Sequence, residues 1–131
     1  MSQGIGLTRV LVVDRDDAMR TRMACVAAAL PGRVRVREVA SLEWAIDALN
    51  RDDFDLVVMA SDLGVGSSAF INVVTLMGAG TSAAIAVHSP SPVHREAMAL
   101  ESIGITCYKA SADVGPGDLM RLLSAAERAV A

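Results

Sequence analysis

Phe54-Asp55-Leu56-Val57-Val58-Met59-Ala60-Ser61-Asp62-Leu63-Gly64 carries an unbroken apolar run, Leu56 to Ala60, between an acidic approach and a loop that turns on glycine. A short apolar run without alternation fits a strand covered on both faces, as in a parallel sheet held between two layers of helices. The strand is placed over Asp55 to Met59, with Ala60 at its carboxyl end and the loop beyond.

Outward from this strand, apolar runs and helical patterns alternate along the chain, the signature of repeated βαβ units. Arg9 to Val13 reads as a doubly buried first strand that stops at Asp14. An acidic helix start at Asp16 or Asp17 follows, with Met19, Met23, Val26 and Leu30 at helical spacing until Pro31-Gly32 ends it. Val34 to Val39 alternates valine with Arg33, Arg35 and Arg37, as an edge strand with one wet face would. Ser41 caps a second helix bearing Leu42, Ala45, Ile46 and Leu49. Past the central strand, Phe70, Val73, Val74 and Met77 mark a third helix, closed by Gly78 and Gly80. Ala83 to Ser89 is a fourth strand, Pro92 suits the first turn of a helix ending near Ser102, and Ile105 to Lys109 is a fifth strand. Asp118 is the expected N-cap of a last helix carrying Leu119, Leu122, Leu123 and Ala126. The expectation is an α/β, flavodoxin-like (βα)5 domain: a doubly wound, five-stranded parallel sheet in the order 2-1-3-4-5, spanning residues 9–131 after a disordered lead-in, 1–8. Its functional crevice would lie at the carboxyl ends of the strands.

Composition narrows the function classes. The chain has 131 residues, 53% of them hydrophobic and 21% charged, which suits one compact domain. A formal charge of -3 supplies no basic field for a phosphate backbone, so direct nucleic-acid binding is not expected. Every apolar segment is interrupted by charge or glycine, so no transmembrane helix and no membrane partner are expected, and MSQGIGLT lacks the features of a signal peptide. Cys25 and Cys107, without CxxC spacing, are expected to be reduced, buried thiols of a cytoplasmic protein.

Four motifs, in order and at matching spacing, resemble the receiver domain of bacterial response regulators. Val10-Leu11-Val12-Val13-Asp14-Arg15-Asp16-Asp17-Ala18-Met19-Arg20 looks like the family's V-L-V-V-D-D-x-x-x-x-R opening, with Arg15 at the second acidic position. The central strand resembles D-L-V-x-x-D, with Ala60 at the phosphoacceptor and Ser61 to Ser68 similar to the loop after it. Ile85-Ala86-Val87-His88-Ser89 matches the strand whose hydroxyl residue, here Ser89, contacts the phosphoryl oxygen. Gly104-Ile105-Thr106-Cys107-Tyr108-Lys109-Ala110-Ser111-Ala112 is similar to G-A-x-x-Y-x-x-K-P, with Tyr108 at the switch aromatic and Ser111 in place of the lysine.

The resemblance implies a degenerate phosphorylation site made of Asp14, Arg15, Ala60, Ser89 and Ser111. Family members hold Mg²⁺ with three carboxylates, a hard-cation site that needs oxygen ligands. Arg15 and Ala60 offer none, so Mg²⁺ is not expected, and Arg15 or its neighbours are expected to offset Asp14 instead. Lys109 lies two residues from Ser111, on the same strand face, and is a candidate replacement ammonium, although a surface position is the preferred reading. The resulting expectation is a non-enzymatic pseudo-receiver acting on a protein partner, or as a homodimer, through the face of the fourth helix, fifth strand and fifth helix, anchored by Tyr108. Two alternatives stay open: a phosphoacceptor using Asp62 or Asp14 with Mg²⁺, and a small-ligand binder of the same fold. The corrinoid pattern D-x-H-x-x-G is absent and few aromatics are available to sandwich a flavin. His88 and Ser89, being adjacent on a strand, point to opposite faces and make no nucleophile and base pair. Gly64 to Ser68 reads as turn and cap chemistry, His94 as solvated, and Arg33, Arg35 and Arg37 as a solvated edge.

Overall fold

The computed structural model describes residues 6–64 and 68–130. Its elements, in chain order, are β1 (Leu7–Val13), α1 (Asp17–Ala28), β2 (Arg33–Val39), α2 (Leu42–Arg51), β3 (Leu56–Ala60), α3 (Ala69–Met77), β4 (Ala84–Ser89), α4 (His94–Glu101), β5 (Cys107–Ala110) and α5 (Pro116–Val130). The strands form one parallel sheet in the order β2-β1-β3-β4-β5, the flavodoxin-like arrangement expected from the alternation. β1 begins at Leu7, two residues before the boundary placed at Arg9, while residues 1–5 of the proposed lead-in lie outside the described residues. No described helix is long and apolar enough to cross a membrane.

Side chains of successive strand residues point to opposite faces, so each strand divides its residues between two cores. Val10, Val12, Leu56, Val58 and Ala86 go to one side, against Met23 and Ala27 of α1 and Leu119 of α5. Leu11, Val13, Val57, Met59, Ile85 and Val87 go to the other, against Ala45 and Ala48 of α2, Ala69, Val73 and Leu76 of α3, and Leu100 of α4. Each fully buried aliphatic side chain here contributes about 1.5–3 kcal/mol by leaving water. β2 is an edge strand: Val34 and Val36 pack inward while Arg33, Arg35 and Arg37 are exposed.

The helix starts follow local capping chemistry. Asp16 accepts from the Met19 amide, Ser41 from that of Trp44 and Ser68 from that of Ile71. Two boundaries differ from the sequence expectation. α5 starts at Pro116, and Asp118, inside the first turn, reaches back to accept the Gly115 amide at 3.0 Å. This is the return half of a capping box, with proline in the first turn where its missing N–H costs nothing. Pro92 precedes the α4 N-cap, Val93, instead of entering the first turn.

α3 forms where its apolar residues mark it, but only part of that row turns inward. Of Phe70, Val73, Val74 and Met77, only Val73 is buried, and the inward face is Ala69, Asn72, Val73 and Leu76. AFINVVTLM is apolar all round except for Asn72 and Thr75, so its periodicity does not select a face. The rotation is instead set by Asn72, whose buried Nδ2 donates to the Ser61 carbonyl at 3.2 Å. Phe70, Ile71, Val74 and Met77 are left as an exposed stripe. The cysteines also depart from expectation: both are free, but Cys25 is exposed on α1 and Cys107 is only half-buried.

The rotation of α3 yields a pair of expected stabilities. Leu76→Ala should lose about 2–5 kcal/mol in urea unfolding, whereas Ile71→Ser, at a site 57% exposed, should stay within about 0.5 kcal/mol of the parent. Similar losses for the two would refute this orientation.

Candidate functional site

The same two-residue period that sorts the cores builds the site. Asp14 continues the Val10–Val12 row of β1, Ala60 the Leu56–Val58 row of β3, and His88 the Ala84–Ala86 row of β4. His88 is the direct register partner of Ala60. Ser111, in the 3-10 turn after β5, completes the group. All four line an open cleft of about 510 Å³ at the carboxyl ends of the strands, together with Arg15, Asp16, Met19, Asp62 and Pro90.

Three of these side chains form a buried polar row. His88 Nδ1 lies 2.8 Å from Ser111 Oγ, and His88 Nε2 lies 3.6 Å from Asp14 Oδ2. Asp14 is 3% exposed, His88 1% and Ser111 2%. Asp14 Oδ1 accepts the Asp16 amide at 2.9 Å, but Asp14 Oδ2 and His88 Nε2 have no hydrogen-bond partner among the described residues. A gap of 3.6 Å is too long for a direct hydrogen bond.

Burial governs both titrations. Desolvation pushes the Asp14 carboxyl up from its ordinary value, against the opposing pull of the Asp16 amide. Desolvation, reinforced by the positive charge of Arg22, lowers His88 to about 4, so the imidazole is neutral at pH 7. Arg22 reaches from α1 to the loop after β5, donating to the Ser111 carbonyl at 2.7 Å and the Ala112 carbonyl at 3.1 Å. Arg20 ties the other wall, donating to the Asp14 carbonyl at 2.8 Å.

The remaining candidate residues separate. Arg15 does not pair with Asp14: its guanidinium turns outward to Asp62, 3.0 Å away, with both side chains more than half exposed. Such a pair is worth about 0–1 kcal/mol. Asp62 also accepts the Gly64 amide at 3.1 Å. Ser89 sits one residue beyond His88 and so on the opposite sheet face, where its hydroxyl accepts the Ser91 amide at 3.2 Å; it does not line the cleft. Tyr108, also packed on that side, donates to Glu96 of α4 and accepts the Val93 amide at 3.1 Å. Lys109 shares the face of Ser111 but ends on Asp118 of α5 at 3.0 Å, away from the cleft.

Two participants have roles that the sequence does not announce. His88 was expected near the crevice only as part of the loop after the fourth strand, and its parity with Ala60 and Asp14 gives it a place on the cleft floor. Arg22 carried no signal, because nothing local connects it to a loop 89 residues away.

The donor set does not fit Mg²⁺. That ion wants several hard oxygen ligands in octahedral geometry, whereas the buried floor offers one carboxylate, an imidazole, a hydroxyl and the Ala60 methyl.

No family model matches the chain, and no curated protein does. Among solved structures, a CheY-like response regulator receiver domain protein from Methanospirillum hungatei JF-1 superposes with a TM-score of 0.75 at 16% identity, covering 94% of this chain and 98% of that one. The chain has the receiver-domain fold. A LuxR-family two-component response regulator from Aurantimonas sp. SI85-9A1 gives 0.73 at 20% identity, over 92% of this chain and 84% of that one. A response regulator protein from Burkholderia pseudomallei, solved with a phosphorylated aspartic acid, calcium ion and citrate, gives 0.73 at 17% identity, over 93% of this chain and 70% of that one. The receiver domains thus share this chain's architecture at low identity.

The His88 environment sets a pH dependence. The folded state resists protonation down to about 4 while the unfolded imidazole titrates at 6.5, so the unfolded state binds more protons between these values and stability rises with pH across them. The contribution is complete above pH 6.5 and lost as pH falls toward 4. It amounts to roughly 3 kcal/mol, and raised Asp14, whose folded form holds its proton longer, offsets part of it. Urea unfolding from pH 4 to 7.5 should therefore show a smaller acid loss in His88→Gln than in the parent, and Arg22→Met should raise the His88 titration seen by NMR. Parallel pH profiles for parent and His88→Gln would refute the assignment.

Proposed function

We propose that this chain is a pseudo-receiver: a two-component-type signalling module that acts through protein contacts without accepting a phosphoryl group. The observation that carries the reading is the Ala60 methyl at the carboxyl end of β3, beside Asp14 in the cleft. A methyl group supplies no nucleophile, and three neighbouring features support the same conclusion. Arg15 is committed to Asp62, Ser111 to His88, and His88 fills space on the cleft floor with a group that is neutral at pH 7.

Contacts with a partner, or with a second copy, are assigned to the face of α4, β5 and α5. Tyr108 is half-buried there, tied to both Glu96 and the α4 N-cap, with exposed Val93, Met98 and Met120 on the adjoining helices. A rigid tyrosine edged by apolar side chains has the composition of an interface anchor. Tyr108→Ala is expected to weaken partner capture or dimer formation at least tenfold while leaving the fold intact by circular dichroism. Undiminished association by this variant would move the interface elsewhere.

Asp62 is the one competing acceptor with an observation behind it, since it is an exposed carboxylate at the cleft. Incubation with acetyl phosphate and Mg²⁺ should leave the intact mass of the parent unchanged, and Ala60→Asp alone should remain unmodified because Arg15 and Ser111 are still in place. A phosphoryl adduct on the parent that disappears in Asp62→Asn would overturn the pseudo-receiver reading and assign the acceptor.

A further inference from the structure

Half of the large apolar side chains exposed among the described residues, Phe70, Ile71, Val74 and Met77, lie on α3. Their spacing of three and four residues makes them neighbours on the helix surface. A helix that faces water normally sets charged or polar residues outward. α3 does not: between Asp62 and Arg95 the chain has no aspartate, glutamate, lysine or arginine, and α3 alone among the described helices carries no charged side chain. It is also the middle helix of its layer, packed on α2 and α4, so the stripe sits at the centre of a face. An exposed apolar surface of this kind marks a contact site.

Charge selects the occupant. A different protein gains its specificity from complementary charge, and α3 offers it none. A second copy brings the same patch to an isologous contact, in which residues near the twofold axis meet their own equivalents. Any charge there would meet its like, so a twofold contact favours an uncharged centre. The helices on either side are self-complementary as well. Exposed Glu43 starts α2 and exposed Arg51, paired with Asp47, ends it, whereas exposed Arg95 starts α4 and exposed Glu101 ends it. Parallel pairing of two such faces sets α2 against α4 of the copy, and antiparallel pairing sets each helix against its own equivalent. Both arrangements oppose acid to base at each end.

The area is modest. With nine residues, α3 is about 13 Å long, too short to bury by itself the roughly 800 Å² per partner of a stable complex. Trp44 on α2, 63% exposed, and Met98 on α4, 56% exposed, extend the apolar surface beyond it. The whole face suits a reversible dimer with a Kd in the micromolar range.

We propose that the α2-α3-α4 face is a homodimer interface, centred on Ile71 and Val74 and occupied by a second copy of this chain. This goes beyond the signalling role above, because it takes the second copy away from Tyr108 and leaves β5 and α5 open to a different partner.

The test is sedimentation equilibrium of the full chain from about 1 to 500 μM, with circular dichroism and urea unfolding at the low end, where mass action keeps the chain monomeric. The expected result is a monomer–dimer equilibrium whose Kd shifts less than about threefold between about 0.1 and 0.5 M sodium chloride, since no charge lies at its centre. Ile71→Glu and Val74→Lys change the net charge in opposite directions. Each should weaken the dimer by at least about tenfold while unfolding like the parent, and Tyr108→Ala should leave the Kd unchanged. A chain that is monomeric throughout, open-ended aggregation in place of a dimer, or a dimer retained by both α3 variants would overturn the proposal. So would a dimer lost in Tyr108→Ala alone, which would place the second copy on the α4-β5-α5 face.

Discussion

The structure depends on the burial of parallel strands on both faces. Because neighbouring residues on such a strand point in opposite directions, a single register assigns every side chain of β1, β3 and β4 to one of two cores. That assignment does not stop where the apolar residues end. Carried one step past the hydrophobic rows, it delivers Asp14, Ala60 and His88 to one side of the sheet and Ser89 to the other. Site geometry and core packing are thus one constraint, and a slip in register would rearrange both together.

Within the cleft, desolvation dominates over pairing. Asp14 and His88 lie close enough to interact, yet burial pushes both toward their neutral forms, and the positive charge of Arg22 adds to the effect on His88. The charged groups that do pair, Arg15 with Asp62 and Lys109 with Asp118, do so nearer the surface, where water screens them. A buried floor with one carboxylate under a charged rim differs from a metal site, whose hard ligands must converge on one point. The Ala60 methyl is one part of this arrangement, and His88 and Ser111 are the others.

The element order and sheet order were legible in the sequence because unbroken aliphatic runs and cap residues such as Asp16 and Ser41 leave few alternatives. Positions that depend on long-range contacts were less so. The face that α3 presents is decided by one hydrogen bond from Asn72 to Ser61, which no periodicity of a uniformly apolar helix encodes. Arg15 could be seen to lack a metal-binding oxygen, but its turn toward Asp62 required the loop conformation. His88 was readable in principle by counting in twos from Ala86. Its sequence neighbour, Ser89, points to the other face, and its strand neighbour, Ala60, fixes its place in the cleft.

The clasp of Arg22 on the carbonyls of Ser111 and Ala112 joins the first helix to the last loop of the fold. Contacts between residues so distant along the chain bring a large loop-closure cost and form only when the intervening elements have assembled. During synthesis, β1 to β4 can be in place while the carbonyls that Arg22 grips have yet to emerge. The wall that Ser111 supplies to the cleft is therefore completed only with the finished domain.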